Sequence, residues 1–165
     1  MRCLSEKLQA SIASSARALR VYYRSYLNIE TKRKLMYKVA VTRDFIANHF
    51  LIGGDWGDEN NPHAHHYVVE VSIESETLNE HGYLVDIVDI EAGLDAVVGY
   101  FRDSMLNDKP EFEGLNPSIE HFARILNEKL TDRILLNFNG VCSIKLWEND
   151  SCWAAFSKRI DAGQS

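Results

Sequence analysis

Residues 65–77 read HHYVVEVSIESET, an alternation of apolar and polar side chains rich in β-branched residues. A period of two is the mark of a strand with one buried face and one open face. The rest of the chain must supply strands to pair with it and a layer to cover its apolar side. Tyr37–Phe50 also alternates and reads as a strand, and Leu51–Pro62, with three glycines, two asparagines and a proline, reads as a loop. Asn79–Gly82 reads as a turn, with Tyr83–Ile87 as the second arm of a hairpin. Asp89–Arg102 carries Ile90, Leu94, Val97, Val98 and Phe101 at helical spacing, with Asp86 or Asp89 as cap. Asn116-Pro-Ser118 predicts a second helix start, running to about Leu130 with Ile119, Phe122, Ala123, Leu126 and Leu130 facing inward. Val141–Glu148 and Cys152–Phe156 read as the last strands. This order predicts an α+β fold, an antiparallel sheet with helices on one face.

Charge divides the 165 residues unevenly. Residues 1–38 hold nine Lys or Arg against Glu6 and Glu30, so a net charge of −6 leaves −13 on the remainder. An acidic body argues against nucleic-acid binding. Residues 1–35 form a basic, serine-rich extension with apolar residues near a helical period, which fits a surface helix, an upstream appendage or a transit-like segment. No apolar run reaches the roughly 20 residues of a membrane helix. Three scattered cysteines, Cys3, Cys142 and Cys152, are no disulfide framework and suggest a reducing, cytoplasmic setting. The expected organisation is this extension followed by one domain over residues 36–160.

Three of the six histidines lie in Pro62-His-Ala-His-His-Tyr67. At a strand start His63 and His65 share one face and His66 takes the other. His49, ending the preceding strand, is the natural third ring. Three imidazoles converging within about 2.0–2.1 Å of a zinc ion leave a fourth position open, the catalytic pattern. An H-x-H pair also fits a plain polar strand start.

Several short runs, in order, resemble the 6-pyruvoyltetrahydropterin synthase and 6-carboxytetrahydropterin synthase family. Phe45-Ile-Ala-Asn-His49 resembles its F-x-A-x-H. His63-Ala-His-His-Tyr67 resembles H-G-H-x-Y, with Ala64 in the glycine place. Gly82-Tyr-Leu-Val-Asp86, Leu106-Asn107, Asn116-Pro-Ser-Ile-Glu120 and Leu146-Trp-Glu148 are similar to its later motifs. The resemblance implies the tunnelling fold: a four-stranded antiparallel sheet, two helices on one face, and homo-oligomeric barrels, typically hexamers of two trimers with sites at subunit interfaces. It implies Zn2+ on His49, His63 and His65. It implies a pterin substrate, usually 7,8-dihydroneopterin triphosphate, anchored by Glu148, with Glu120 and Ser118 lining the pocket. A carboxylate can accept two parallel N–H bonds from a pterin's guanidine-like edge. Glu120 equally fits an acid in a helix's first turn.

The proton-transfer half departs from the family pattern. No cysteine precedes His63; Glu59 stands four residues upstream, and relatives with Glu in that role cleave the side chain differently, toward 6-hydroxymethyl-dihydropterin. Glu59 equally fits a solvated acid in an acidic loop. The family's Asp-His pair is replaced by Arg102 and Asp103. The expected catalytic groups are therefore Glu59 and Asp103, in a zinc-dependent pterin lyase. A non-catalytic pterin- or purine-binding homologue and a zinc enzyme unrelated to pterins are the other readings.

Overall fold

The computed structural model describes residues 36–134 and 138–162. The predicted N-terminal helix lies outside the described residues. Four strands form one antiparallel sheet in the order β1-β2-β3-β4: β1 (Tyr37–His49), β2 (His63–Ser75), β3 (Gly140–Trp147) and β4 (Trp153–Ile160). Helices α1 (Ile87–Phe101) and α2 (Ile119–Ile134) cover one face. This is the expected α+β architecture. Among the described residues no helix is long and apolar enough to cross a membrane.

Alternation decides which face is covered. Val41, Phe45, Ala47, Tyr67, Val69, Val71, Ile73, Cys142, Ile144 and Leu146 are buried beneath the helices. Their sequence neighbours point to the open face, where Lys38 pairs with Glu74 and Ser143 with Ser157. The helices answer with the predicted apolar stripes. Ile90, Leu94, Val97, Val98 and Phe101 of α1 are buried, as are Phe122, Ala123, Leu126 and Leu130 of α2. Phe122 packs against the rings of Phe45, Tyr67, Phe101 and Phe112 at centroid distances of 5.0–5.9 Å. Such pairs contribute about 0.5–1.5 kcal/mol each beyond area burial. At the helix–helix contact, a Cβ on Gly93 would collide with Ile134, so glycine sets how closely α1 and α2 approach.

Capping follows the sequence. The Asp86 side chain accepts from Val88 N at 3.0 Å, and Ser118 Oγ accepts from His121 N at 3.4 Å. One predicted element is absent: Tyr83–Ile87 is not the second arm of a hairpin. Both edges of β2 are already occupied, by β1 and β3. The Asn79 side chain accepts from His81 N and Tyr83 N, folding the segment into a local turn with Gly82 at φ +82°. Asp86 then commits the following residues to α1.

The two described cysteines differ sharply. Cys142 is buried in the core and burial pushes its thiol up to about 12, whereas Cys152 is exposed. In a Cys3→Ser background, a disulfide reagent should therefore label Cys152 in the native protein and Cys142 only after denaturation; rapid native labelling of Cys142 would contradict the packing. Leu126→Ala should lower unfolding stability by about 2–5 kcal/mol in urea titrations. Val88→Ala, at an exposed site, should change it by less than about 0.5 kcal/mol.

Candidate metal and substrate site

The antiparallel register sets His49 opposite His63 and Ala47 opposite His65. All three rings thus rise from one end of the sheet on its helix-covered side. Their centroids form a nearly equilateral triangle, with sides of 4.6, 4.8 and 4.8 Å. Tyr67 lies below them, its ring 5.6 Å from His65 and 6.5 Å from His49, and joins the site to the aromatic core.

The chain holds two of these rings by their far nitrogens. His49 Nδ1 lies 2.9 Å from the carbonyl of Pro117, and His63 Nδ1 lies 2.8 Å from the carbonyl of Asn61. A carbonyl only accepts, so in each neutral ring Nδ1 carries the proton and Nε2 presents a lone pair. Burial, with His65 and His63 adding to it, holds the His49 imidazole below its ordinary value despite the Pro117 carbonyl. The Nε2 atoms of His49, His63 and His65 are buried and none has a hydrogen-bond partner. Buried polar atoms are rarely left this way. Three unpartnered ring nitrogens gathered this closely, at least two of them presenting lone pairs, are stabilised by a cation between them. The donor set of three imidazoles therefore fits zinc, with the partner carbonyls fixing the tautomers of His49 and His63.

Two carboxylates flank the rings. Glu148 Oε1 is 3.8 Å from His49 Nε2 and 3.5 Å from His65 Nε2. Glu148 directly follows β3, and the turn there is tied by the Asn149 side chain, which accepts from Ser151 N and Cys152 N. Glu59 Oε2 is 2.9 Å from His63 Nε2. The donor atoms of His49, Glu59, His63 and His65 all lie within 4.8 Å of one another. The buried Tyr67 phenol is pushed up by desolvation, and the negative charges of Glu148 and Glu59 act on it in the same direction.

The other expected residues lie apart from this set. Ser118 follows the carbonyl that holds His49, but its Oγ accepts from His121 N. Glu120 is exposed in the first turn of α2. Asp103 sits at φ 55° with its N–H donating to Ile46 O, and Arg102 donates to Asp44 O. That segment extends along the outer edge of β1, where Asn48 bridges Met105. Neither described cysteine, Cys142 or Cys152, belongs to the set.

Sequence reasoning missed the supports. Asn107 brackets Phe50, accepting from its N–H at 3.0 Å and donating to its carbonyl at 2.9 Å. Asn116 Oδ1 accepts from Ile52 N at 3.0 Å. Both asparagines fix the chain as it leaves His49, so these two short motifs are positioning devices. Asn60 performs the same service for the loop, donating to the carbonyls of Leu51 and Gly54 and accepting from Trp56 N.

Comparison with curated proteins returns no significant match. Solved structures do match. A Caenorhabditis elegans 6-pyruvoyl tetrahydropterin synthase superposes with a TM-score of 0.60 at 19% identity, covering 78% of this chain and 99% of that one. The Plasmodium falciparum 6-pyruvoyl tetrahydropterin synthase gives 0.63 at 16% identity, covering 76% and 99%. A Plasmodium vivax 6-pyruvoyltetrahydropterin synthase, described as a catalytic-residue mutant with a glutamate changed to alanine, gives 0.62 at 14% identity, covering 76% and 99%. At these identities the likeness establishes the fold. The model of the family described as 6-pyruvoyl tetrahydropterin synthase matches residues 38–159. The chain belongs to the 6-pyruvoyl tetrahydropterin synthase family.

Proposed function

We propose that this protein is a zinc-dependent lyase acting on 7,8-dihydroneopterin triphosphate or a closely related pterin. The observation that carries the reading is the set of three buried Nε2 atoms without hydrogen-bond partners, on rings that form one close triangle. His49, His63 and His65 would hold the metal. Bound zinc would supply Lewis-acid polarisation of the substrate's side-chain oxygens. Glu148 accepts two parallel N–H bonds from the pterin ring and so orients the side chain toward the histidines. Glu59 takes a proton from the substrate side chain at Oε2. A glutamate is the named catalytic residue of the Plasmodium vivax protein, which supports giving that work to Glu59. The product is then the one expected of Glu-bearing relatives, 6-hydroxymethyl-dihydropterin. Ser118 and Glu120 line the substrate's approach.

Asp103 lies on an outer strand edge, so in this reading it serves a neighbouring copy across the interface of a homo-oligomer built as two trimers. The basic extension over residues 1–35 is separate from this chemistry, and the setting is the cytoplasm. A non-catalytic pterin- or purine-binding role is the second reading. It is favoured by one feature: Cys142 and Cys152 both lie outside the donor set.

Purified protein incubated with 7,8-dihydroneopterin triphosphate should yield a product that a chelator suppresses, and mass spectrometry should identify the bond cleaved. His65→Ala should abolish both zinc retention and turnover. Glu148→Ala should lower kcat/KM by about 10- to 100-fold, the loss of about 1.5–3 kcal/mol for a charge-assisted hydrogen bond. Tight pterin binding with no product from zinc-loaded protein would establish the second reading instead.

A further inference from the structure

Glu59 and Glu148 approach different rings, and they differ in kind. Glu148 faces His49 and His65 at 3.8 and 3.5 Å. Glu59 is the carboxylate that joins the three histidines in one set of mutually close donor atoms. Its 2.9 Å contact with His63 Nε2 is not an aligned hydrogen bond, since that nitrogen has no hydrogen-bond partner. With the His63 proton directed at the Asn61 carbonyl, the contact brings a carboxylate oxygen against an imidazole lone pair. Two electron-rich atoms at this distance are stabilised by a shared cation. Atoms about 2.0–2.1 Å from one tetrahedral zinc stand roughly 3.3 Å apart, so the contact has the scale of two ligands of one ion.

The backbone beneath Glu59 is held while its side chain is not. Glu59 lies in a short 3-10 turn, Gly57–Asn60, and its carbonyl accepts from Leu51 N at 2.7 Å. Asn60 ties the loop on the other side. The Glu59 side chain itself is 53% exposed, leaving room to swing away.

The geometry points to Glu59 as a fourth, displaceable metal ligand. This rests on the zinc reading above and deepens it. With the metal bound, the Glu59 carboxylate would close the position that three histidines leave open, as four protein ligands do in non-catalytic sites. Its exposed side chain, on a loop braced by Leu51 and Asn60, could give up that position to another oxygen ligand without moving far.

The test uses the full chain loaded with Co2+, whose visible absorption reports coordination. Glu59→Gln should alter the visible bands and weaken cobalt affinity by more than the about 10- to 100-fold that loss of an outer-shell partner costs, while Glu148→Gln leaves both unchanged. Acetohydroxamate, which binds metals through two adjacent oxygens, should bind cobalt-loaded Glu59→Ala more tightly than wild type, because no carboxylate has to be displaced. Unchanged cobalt affinity and bands in Glu59→Gln, or the same effects arising from Glu148→Gln instead, would overturn the proposal alone. A wild-type chain that takes up no cobalt and no zinc would overturn the zinc reading, and the proposal with it.

Discussion

The register between β1 and β2 is the constraint on which the site depends. His49 faces His63 only because Phe45 faces Tyr67 and Val41 faces Val71 along the same ladder. Side chains alternate between faces, so a slip of one residue would turn His49 away from the other two rings and carry Phe45 out of the core. Burying Phe45, Tyr67 and Val71 therefore assembles three histidines as a consequence. Packing energy and chemistry reinforce one another here: the aromatic cluster centred on Phe122 supports Tyr67, and Tyr67 supports the rings.

Around that frame the chain spends backbone carbonyls and asparagine amides rather than charges. Pro117 and Asn61 hold ring protons; Asn107, Asn116 and Asn60 brace the segments that carry His49 and Glu59. Neutral partners keep the imidazoles as lone-pair donors. A carboxylate in the place of the Pro117 carbonyl would favour protonating His49, against the burial that keeps it neutral. Among the described residues, Glu59 and Glu148 alone bring negative charge to the rings, one on a braced loop and one just past β3.

Much of this was legible in the sequence because it rests on periodicity. The period-two run at 65–77 located β2, and the helical stripes located both helices; of the two expected caps of the first, Asp86 and Asp89, the structure uses Asp86. The histidine trio was legible because i and i+2 residues on a strand must share a face. Tyr83–Ile87 misled because its pattern is as good as a strand's, while the outcome depends on whether β2 has a free edge, a property of the whole sheet. Asn107 and Asn116 could be recognised as motif residues, yet their partners are backbone atoms some 60 residues away, and no local pattern encodes that. Asp103 was expected in proton transfer, and it lies along the β1 edge, apart from the three rings.

The account stands on the claim that His49, His63 and His65 meet at one metal ion. Anomalous diffraction at the zinc absorption edge from zinc-loaded crystals tests it directly. The account predicts a single strong peak bonded to the Nε2 atoms of all three histidines. No peak among those rings, or a peak that excludes His49, would contradict it.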